Sequence, residues 1–140
     1  MSYPLTHIDG IDVEEISALK KAGIRTTSRL LERARSPRAR KLLADMTDID
    51  ERRLLMFANA ADHLRIKGMG KGYVVLLREV GVNTVRDLRV RKPENLVARM
   101  VEANRKRRLV RLLPSEKLVL RWIDAAKTLQ LKITYKNDKL

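Results

Sequence analysis

The 140-residue sequence has no cysteine, only one phenylalanine and one tryptophan, and only two histidines. Without cysteine the chain forms neither disulfides nor thiolate metal sites, which is typical of proteins of a reducing compartment. His7 and His63 are too few and too isolated for a metal cluster or for a catalytic Ser/His/Asp arrangement. No apolar run approaches the roughly 18 residues of a membrane span, and the first ten residues lack the basic and apolar regions of a signal peptide. We therefore expect a soluble, cytoplasmic protein that carries no metal and no cofactor.

Positive charge is the property that the sequence has in excess. It contains 31 Lys and Arg against 17 Asp and Glu, a formal net charge of +14. This balance favours an anionic partner, with nucleic acid ahead of an anionic membrane surface. The alternative is a basic surface that is merely solvated. Hydrophobic residues make up 44% of the chain but aromatic residues only 4%, so the core must consist mainly of Leu, Val, Ile and Ala.

Two stretches of the sequence are repeated. Residues 8–33 align with residues 66–91 at a constant offset of 58, and residues 51–66 align with residues 116–131 at an offset of 65. The first alignment contains the identical pairs Ile8/Ile66, Gly10/Gly68, Leu19/Leu77, Gly23/Gly81, Thr26/Thr84, Leu30/Leu88 and Arg33/Arg91. The second copy therefore carries about seven extra residues, which fall near 102–111. We predict two tandem units, residues 1–65 and 66–135, followed by a tail at 136–140.

Each unit has the pattern of four helices. Residues that end, cap or open helices mark the boundaries: Gly23, Thr26 or Thr27, Pro37 and Asp50 in the first unit, and Gly81, Thr84, Pro93 and Ser115 in the second. Apolar residues recur at helical spacing, as in Val13, Ile16 and Leu19 or in Leu42, Leu43 and Met46. Only LKITY (131–135) alternates like a strand. The sequence thus predicts an all-α fold, with two four-helix units packed into one compact body.

The most distinctive motif is IKGMGKGYVVLLREVG at residues 66–81, which places three glycines at the start of a predicted helix. Glycine leaves no Cβ between the backbone and a ligand, and the first N–H groups of a helix carry partial positive charge. Together with Lys67 and Lys71 these groups would form a phosphate-sized anion site. The alternative is that Gly68 and Gly70 only permit a tight connection between two helices. Tyr73, which follows directly, is either a base-stacking side chain or a core residue.

The order helix, hydrophobic-Gly-hydrophobic-Gly, helix resembles the helix-hairpin-helix motif. The continuation L-x-x-x-G-[IV]-x-T-x-x-x-L occurs twice, from Leu19 and from Leu77. It is similar to tandem helix-hairpin-helix modules of DNA repair proteins and to the C-terminal domain of the bacterial RNA polymerase alpha subunit. Nearly the whole chain resembles a prokaryotic family of paired helix-hairpin-helix units, a domain of unknown function. The resemblance implies that the hairpin grips the nucleic-acid backbone without reading bases, and such contacts position a protein without specifying sequence.

The two hairpins differ in charge. In the first hairpin, Asp9 and Asp12 would repel phosphate, and too few residues precede Ile8 for a lead-in helix. We therefore expect a packing element or a protein-facing surface there.

The positive charge is concentrated in the second half of the chain. Residues 66–140 carry 19 Lys and Arg against 7 Asp and Glu, whereas residues 1–65 carry 12 Lys and Arg against 10 Asp and Glu. The densest group of basic residues falls within the extra residues of the second copy, and we call residues 105–111 the basic segment. A smaller basic cluster, whose flanks carry acidic residues, comprises Arg33, Arg35, Arg38, Arg40 and Lys41.

We predict a nucleic-acid-binding surface formed by the second hairpin and the basic segment. Its residues are Lys67, Gly68, Met69, Gly70, Lys71, Gly72, Arg105, Lys106, Arg107, Arg108 and Arg111. Catalysis has little support, because the base-excision glycosylases that share this hairpin use a lysine and an aspartate in a larger fold, and no aspartate stands at a matching position here. The expected function is non-enzymatic, largely sequence-independent binding of duplex DNA. The alternative is a protein-interaction adaptor whose basic surface meets an acidic partner protein.

Overall fold

The fold is all-α, as predicted. The computed structural model describes residues 2–138, and within this range it contains eight α-helices and no β-strand. The helices are α1 (Val13–Lys21), α2 (Thr27–Arg33), α3 (Pro37–Thr47), α4 (Glu51–His63), α5 (Lys71–Glu79), α6 (Val85–Arg89), α7 (Pro93–Arg107) and α8 (Glu116–Thr128). A three-residue 3₁₀ turn, Leu5–His7, precedes α1. The alternating stretch at 131–135 forms no strand; an isolated bridge between Pro4 and Thr26 is the only β-type pairing of the described residues.

Polar caps and prolines begin several helices where the sequence predicts them. The side-chain oxygens of Thr26, Thr84 and Ser115 accept hydrogen bonds from the N–H groups three residues further on, at 3.0 to 3.2 Å. Pro37 and Pro93 are the first residues of α3 and α7, where a missing N–H forfeits no intrahelical hydrogen bond. Each side-chain cap stabilises its helix by about 1 kcal/mol. These helix starts are therefore determined by residues within one turn of them.

The described residues form two compact units. The first unit comprises residues 2–62 together with 132–138, and the second unit comprises residues 63–131. In the first unit α3 packs against α1 and α2; in the second unit α7 packs against α5, and α8 packs against α6 and α7. Phe57 is fully buried in the first unit and Trp122 in the second, so both face a core. Phe57 and Trp122 apart, the buried hydrophobic residues of the two units are non-aromatic.

Several apolar residues at helical spacing lie outside these cores. Leu19 and Leu43 are buried, but Val13 is 82% exposed, Leu42 is 59% exposed and Met46 is 62% exposed. Val13 is the first residue of α1, whereas Leu42 and Met46 lie one turn apart on α3. Helical periodicity therefore identified the helices but not which of their apolar residues are buried.

A buried arginine holds the C-terminal segment (residues 132–138) on the first unit. Arg40 is only 3% exposed, and its guanidinium donates to the carbonyl oxygens of Ala34 and Thr134 at 2.8 Å each. Burial lowers the pKa of Arg40 because the charged form loses hydration. The Thr134 N–H in turn donates to the Arg35 carbonyl oxygen at 2.8 Å. Arg40, a member of the smaller basic cluster in the sequence, thus uses its charge inside the first unit, on a segment that the repeat predicts to belong to the second.

His63 is almost completely buried in the second unit. Its side chain is 1% exposed, and its Nε2 has no hydrogen-bond partner among the described residues. Burial lowers the pKa of His63 to about 4, because desolvation penalises the imidazolium form. A hydrogen bond with the Thr84 backbone and the charge of Asp87 oppose this shift, and the charge of Arg78 reinforces it. His63 is therefore neutral in the folded protein near pH 7.

We expect the second unit to lose stability through His63 on acidification. The unfolded histidine, with its ordinary pKa of 6.5, takes up a proton before the folded one does. The free energy of unfolding therefore falls as the pH decreases from about 6.5 towards about 4. Between about pH 7.5 and about pH 5.5 the loss should be about 1.4 kcal/mol, measured by urea denaturation. The His63→Gln variant should lack this part of the pH dependence, and an identical pH dependence in both proteins would contradict the assignment.

Candidate nucleic-acid interface

The turn between α4 and α5 requires Gly68 for its backbone conformation. Gly68 has a φ of +82°, a left-handed conformation that residues with a side chain rarely adopt. A Cβ added there would lie 3.7 Å from Leu118 Cδ1 and 3.8 Å from Trp122 Nε1, both on α8. The Met69 N–H closes the turn by donating to the Ile66 carbonyl oxygen at 3.1 Å. The fold itself thus accounts for glycine at position 68.

Gly72 packs closely against the chain at 109–110. It lies in the first turn of α5, and a Cβ added there would stand 3.0 Å from Val110 Cγ1 and 3.4 Å from the Leu109 carbonyl oxygen. The first of these distances is shorter than most real Cβ contacts, so the Val110 side chain would have to shift by a few tenths of an ångström to admit a larger residue. Gly72 therefore allows the basic segment to lie directly against the start of α5.

Gly70 is the one glycine of the three that the fold does not require. Its φ of −89° and ψ of 171° are open to any residue, and, Gly70 and its two chain neighbours aside, no heavy atom of the described residues lies within 4 Å of the place where a Cβ would stand. Gly70 is the N-cap of α5 but offers the first turn no side-chain hydrogen bond. Ser, Thr, Asp and Asn are preferred at such positions because they supply one. The N-terminus of α5 is therefore open to an approaching group at this residue.

In the first hairpin, the start of the helix is closed by the protein's own side chains. Asp12, which the repeat aligns with Gly70, is the N-cap of α1: its carboxylate accepts from the Glu15 N–H at 2.7 Å, and the Glu15 carboxylate accepts from the Asp12 N–H at 3.1 Å. Arg53 donates to both Glu15 carboxylate oxygens at 2.6 and 2.7 Å and to the Gly10 carbonyl oxygen at 3.0 Å. The hydrogen bond from Arg53 is the main reason that the pKa of Glu15 lies below its usual value. The groups that an anion would meet are already occupied here.

The predicted turn residues beside the glycines divide into exposed and buried ones. Lys67 and Lys71 flank the turn, and both are exposed. The side chain of Met69 is only 3% exposed and lies in the core of the second unit. Met69 can therefore offer a ligand only its backbone, whereas the two lysines present positive charge to solvent.

Some basic side chains of the basic segment form ion pairs and others do not. Arg105 forms an exposed ion pair with Glu102 at 3.4 Å, and Arg107 forms one with Glu79 of α5. The remaining predicted basic residues of the segment are exposed and form no ion pair with any residue that the structure describes: Lys106, Arg108 and Arg111. Three of the five predicted basic side chains are thus available to an anionic ligand.

Two polar side chains hold the end of the basic segment in place. Asn104 forms two hydrogen bonds of 3.0 Å with Val110, one from its Nδ2 to the carbonyl oxygen and one from the Val110 N–H to its Oδ1. The Tyr73 hydroxyl donates to the Leu112 carbonyl oxygen at 2.9 Å. The chain turns back at Arg108, which ends α7 with a left-handed φ of 43°. Nothing in the sequence pattern identified Asn104, yet its hydrogen bonds help to make the basic segment a neighbour of the glycine turn.

Tyr73 is not free to stack on a nucleic-acid base. Its ring centroid lies 5.1 Å from that of the buried Trp122, with the two rings tilted by 54°. Its hydroxyl is already engaged with the Leu112 carbonyl. Tyr73 therefore positions the basic segment and does not supply a stacking surface for a base.

The chain belongs to the family described as Domain of unknown function (DUF4332), whose model matches residues 9–129. This agrees with the predicted resemblance to a domain of unknown function; the helix-hairpin-helix likeness stays a prediction. No curated protein matches the chain, and no solved structure matches it. Among residues 2–138 no helix is long and apolar enough to cross a membrane.

Proposed function

We propose that the second unit binds the phosphate backbone of duplex DNA, largely independently of sequence and without catalysis. Gly70 carries this proposal. The fold leaves room for a capping side chain at this position, and such a cap would stabilise α5, yet the residue is glycine. A phosphate that approaches the first N–H groups of α5 would account for glycine at this position, because a capping side chain would occupy the place of the phosphate. Lys67 and Lys71 add positive charge on either side.

We also propose that the two units are copies of one helix-hairpin-helix unit. Glycines related by the offset of 58 have nearly the same backbone conformation: φ is +83° at Gly10 and +82° at Gly68, and it is +88° at Gly23 and +87° at Gly81. This agreement supports a shared local geometry at the hairpin and at the end of the following helix. The two copies differ at the helix start that follows the hairpin, where the first is capped by a carboxylate and the second is open.

The distribution of charge supports the same assignment. Residues 66–140 carry 19 Lys and Arg against 7 Asp and Glu. The basic segment lies against α5 through Val110 and Gly72, so its free cations belong to the same part of the second unit as the open helix start. Clustered cations of this kind attract the phosphate backbone whatever the base sequence.

A salt series tests the proposal. With roughly 3–5 phosphates neutralised, the logarithm of the affinity for a duplex of about 20 base pairs should fall with the logarithm of salt concentration at a slope of about −3 to −4.5. Fluorescence anisotropy at several salt concentrations measures this slope. Single-stranded DNA, RNA and an acidic polypeptide serve as comparison ligands. No binding of duplex DNA at low salt, together with tight binding of the acidic polypeptide, would refute DNA binding.

A pair of charge variants is the control for this series. Replacing Lys106, Arg108 and Arg111 by Gln should make the slope less steep by about 2 to 3, since each phosphate contact contributes about 0.9. Replacing Arg105 and Arg107 by Gln should change it less per charge, because both side chains already form ion pairs. An unchanged slope in the triple variant would exclude the basic segment from the interface.

An adaptor function is the second candidate, and exposed apolar residues of the first unit favour it. Leu42 and Met46 are well exposed and line a groove of about 350 Å³, whose charged lining residues are Arg29, Arg33, Arg35 and Glu32. An amphipathic segment with acidic flanks would complement both the apolar side chains and the excess of positive charge. The acidic polypeptide in the salt series tests this candidate, and a Leu42→Ser variant should weaken its binding if the groove is used.

A further inference from the structure

Leu112 is an exposed leucine in a loop that the rest of the second unit holds firmly. Its side chain is 77% exposed. In this loop, residues 108–114, the Leu112 carbonyl accepts a hydrogen bond from the Tyr73 hydroxyl at 2.9 Å. Two residues earlier, the N–H and the carbonyl of Val110 are both bonded to Asn104 at 3.0 Å. The loop thus presents to solvent an apolar side chain that the core does not use.

The surroundings of Leu112 are basic. Arg108 and Arg111 lie in the same loop, and both are exposed without an ion pair to any described residue. The loop touches the start of α5, since a Cβ on Gly72 would stand 3.0 Å from Val110 Cγ1. An apolar side chain between cations complements a ligand that is anionic outside and apolar within. A base stack between two phosphate backbones fits this description.

An anionic lipid bilayer is also charged at its surface and apolar inside, but the small exposed apolar area of the loop favours DNA. In this loop Leu113 is the only other exposed apolar residue, at 36%, whereas Leu109 and Val110 are half-buried. Stable attachment to a membrane surface takes the apolar face of a whole amphipathic helix or a lipid chain. A single apolar side chain is what minor-groove proteins insert between two base pairs. The size of the exposed patch therefore matches one base step.

We propose that Leu112 is a wedge that enters the base stack and directs the protein to DNA in which one base step is already interrupted. This inference rests on the proposed DNA binding and names the substrate class for it. Burying one leucine side chain stabilises a complex by no more than unstacking one base step costs. On an intact duplex the two contributions nearly cancel. At a bulge the stacking is already lost, so the gain from burial remains.

The test compares an intact duplex with the same duplex carrying a single-nucleotide bulge next to 2-aminopurine. The wild-type protein should bind the bulged duplex about tenfold more tightly and should change the 2-aminopurine fluorescence. Leu112→Ser removes the apolar side chain but keeps the carbonyl that Tyr73 holds, and it should reduce the preference to about twofold or less. Val90→Ser is the matched control, because Val90 is 80% exposed in the same unit but lies outside the loop, and it should keep the full preference.

The outcomes separate the wedge from DNA binding itself. Equal affinity for both duplexes, with the expected salt dependence, overturns the wedge and leaves the proposed function standing. A preference that survives in Leu112→Ser, shown by circular dichroism to be folded, has the same consequence. If neither duplex is bound at low salt, DNA binding and the wedge both fail. Leu112-dependent binding to vesicles of anionic phospholipid, without any preference for the bulge, would assign the loop to a membrane surface and overturn the wedge.

Discussion

We expect the Gly70→Asp variant to fold at least as well as the wild-type chain and to bind duplex DNA about 10- to 100-fold more weakly. The backbone of Gly70 and the space around it admit a side chain without strain. As the N-cap of α5, aspartate would accept a hydrogen bond from the first turn, as Asp12 does in α1, and would stabilise the helix by a few tenths of a kcal/mol relative to glycine. The same carboxylate would stand where a phosphate oxygen is expected and would repel it. Thermal unfolding and fluorescence anisotropy at fixed salt measure the two effects.

Two further variants distinguish the effect of charge from that of size. Gly70→Asn supplies the same kind of cap without charge, so it should weaken DNA binding through its size alone and clearly less than Gly70→Asp does. Asp12→Gly should not create a second binding site, because Arg53 and Glu15 continue to occupy the first hairpin. A folded Gly70→Asp variant that binds like the wild type would show that α5 does not receive phosphate. If Gly70→Asn and Gly70→Asp weaken DNA binding equally, the loss of affinity comes from the size of the added side chain and not from its negative charge.

The Arg40→Ala variant should lower the free energy of unfolding of the first unit by about 3 kcal/mol or more. Arg40 makes two hydrogen bonds of 2.8 Å, a buried one to Ala34 and a part-buried one to Thr134, and bonds to a charged group contribute about 1.5–3 kcal/mol each. Their removal leaves the carbonyl oxygens of Ala34 and Thr134 without these donors and opens a cavity where the long side chain was. Urea denaturation measures the loss of stability. Limited proteolysis should show faster cleavage in residues 132–138, which Arg40 holds through Thr134.

Arg38→Ala is the matched control for this prediction. Arg38 lies two residues earlier on α3 and is exposed, so its replacement should change stability by about 0.5 kcal/mol or less. Arg40→Lys should show an intermediate loss, because an ammonium group lacks the planar fork that reaches two carbonyls at once. Equal effects of Arg38→Ala and Arg40→Ala would mean that burial of Arg40 contributes nothing to stability.

The helices and their ends could be predicted because they depend on neighbouring residues. Caps such as Thr26, Thr84 and Ser115 act within a single turn, and the prolines act at the first helical position. The all-α fold follows from these local signals together with the helical spacing of apolar residues. The positive charge of residues 66–140 and the distinctive glycine turn are also properties of the chain itself. They were sufficient to predict where a nucleic-acid site should be sought.

Tertiary structure alone decided which residues are buried and which predicted features meet. Arg40 has basic neighbours in the sequence, but its role is set by Thr134, 94 residues further on. Gly70 and Gly72 look alike in the sequence; only Gly72 faces Val110, so only Gly70 is left open to a ligand. Helix propensity and capping are local, so the amino-acid sequence determines them directly. Burial and the neighbourhood of distant segments arise only when a whole unit packs, and sequence spacing carries too little information to determine them.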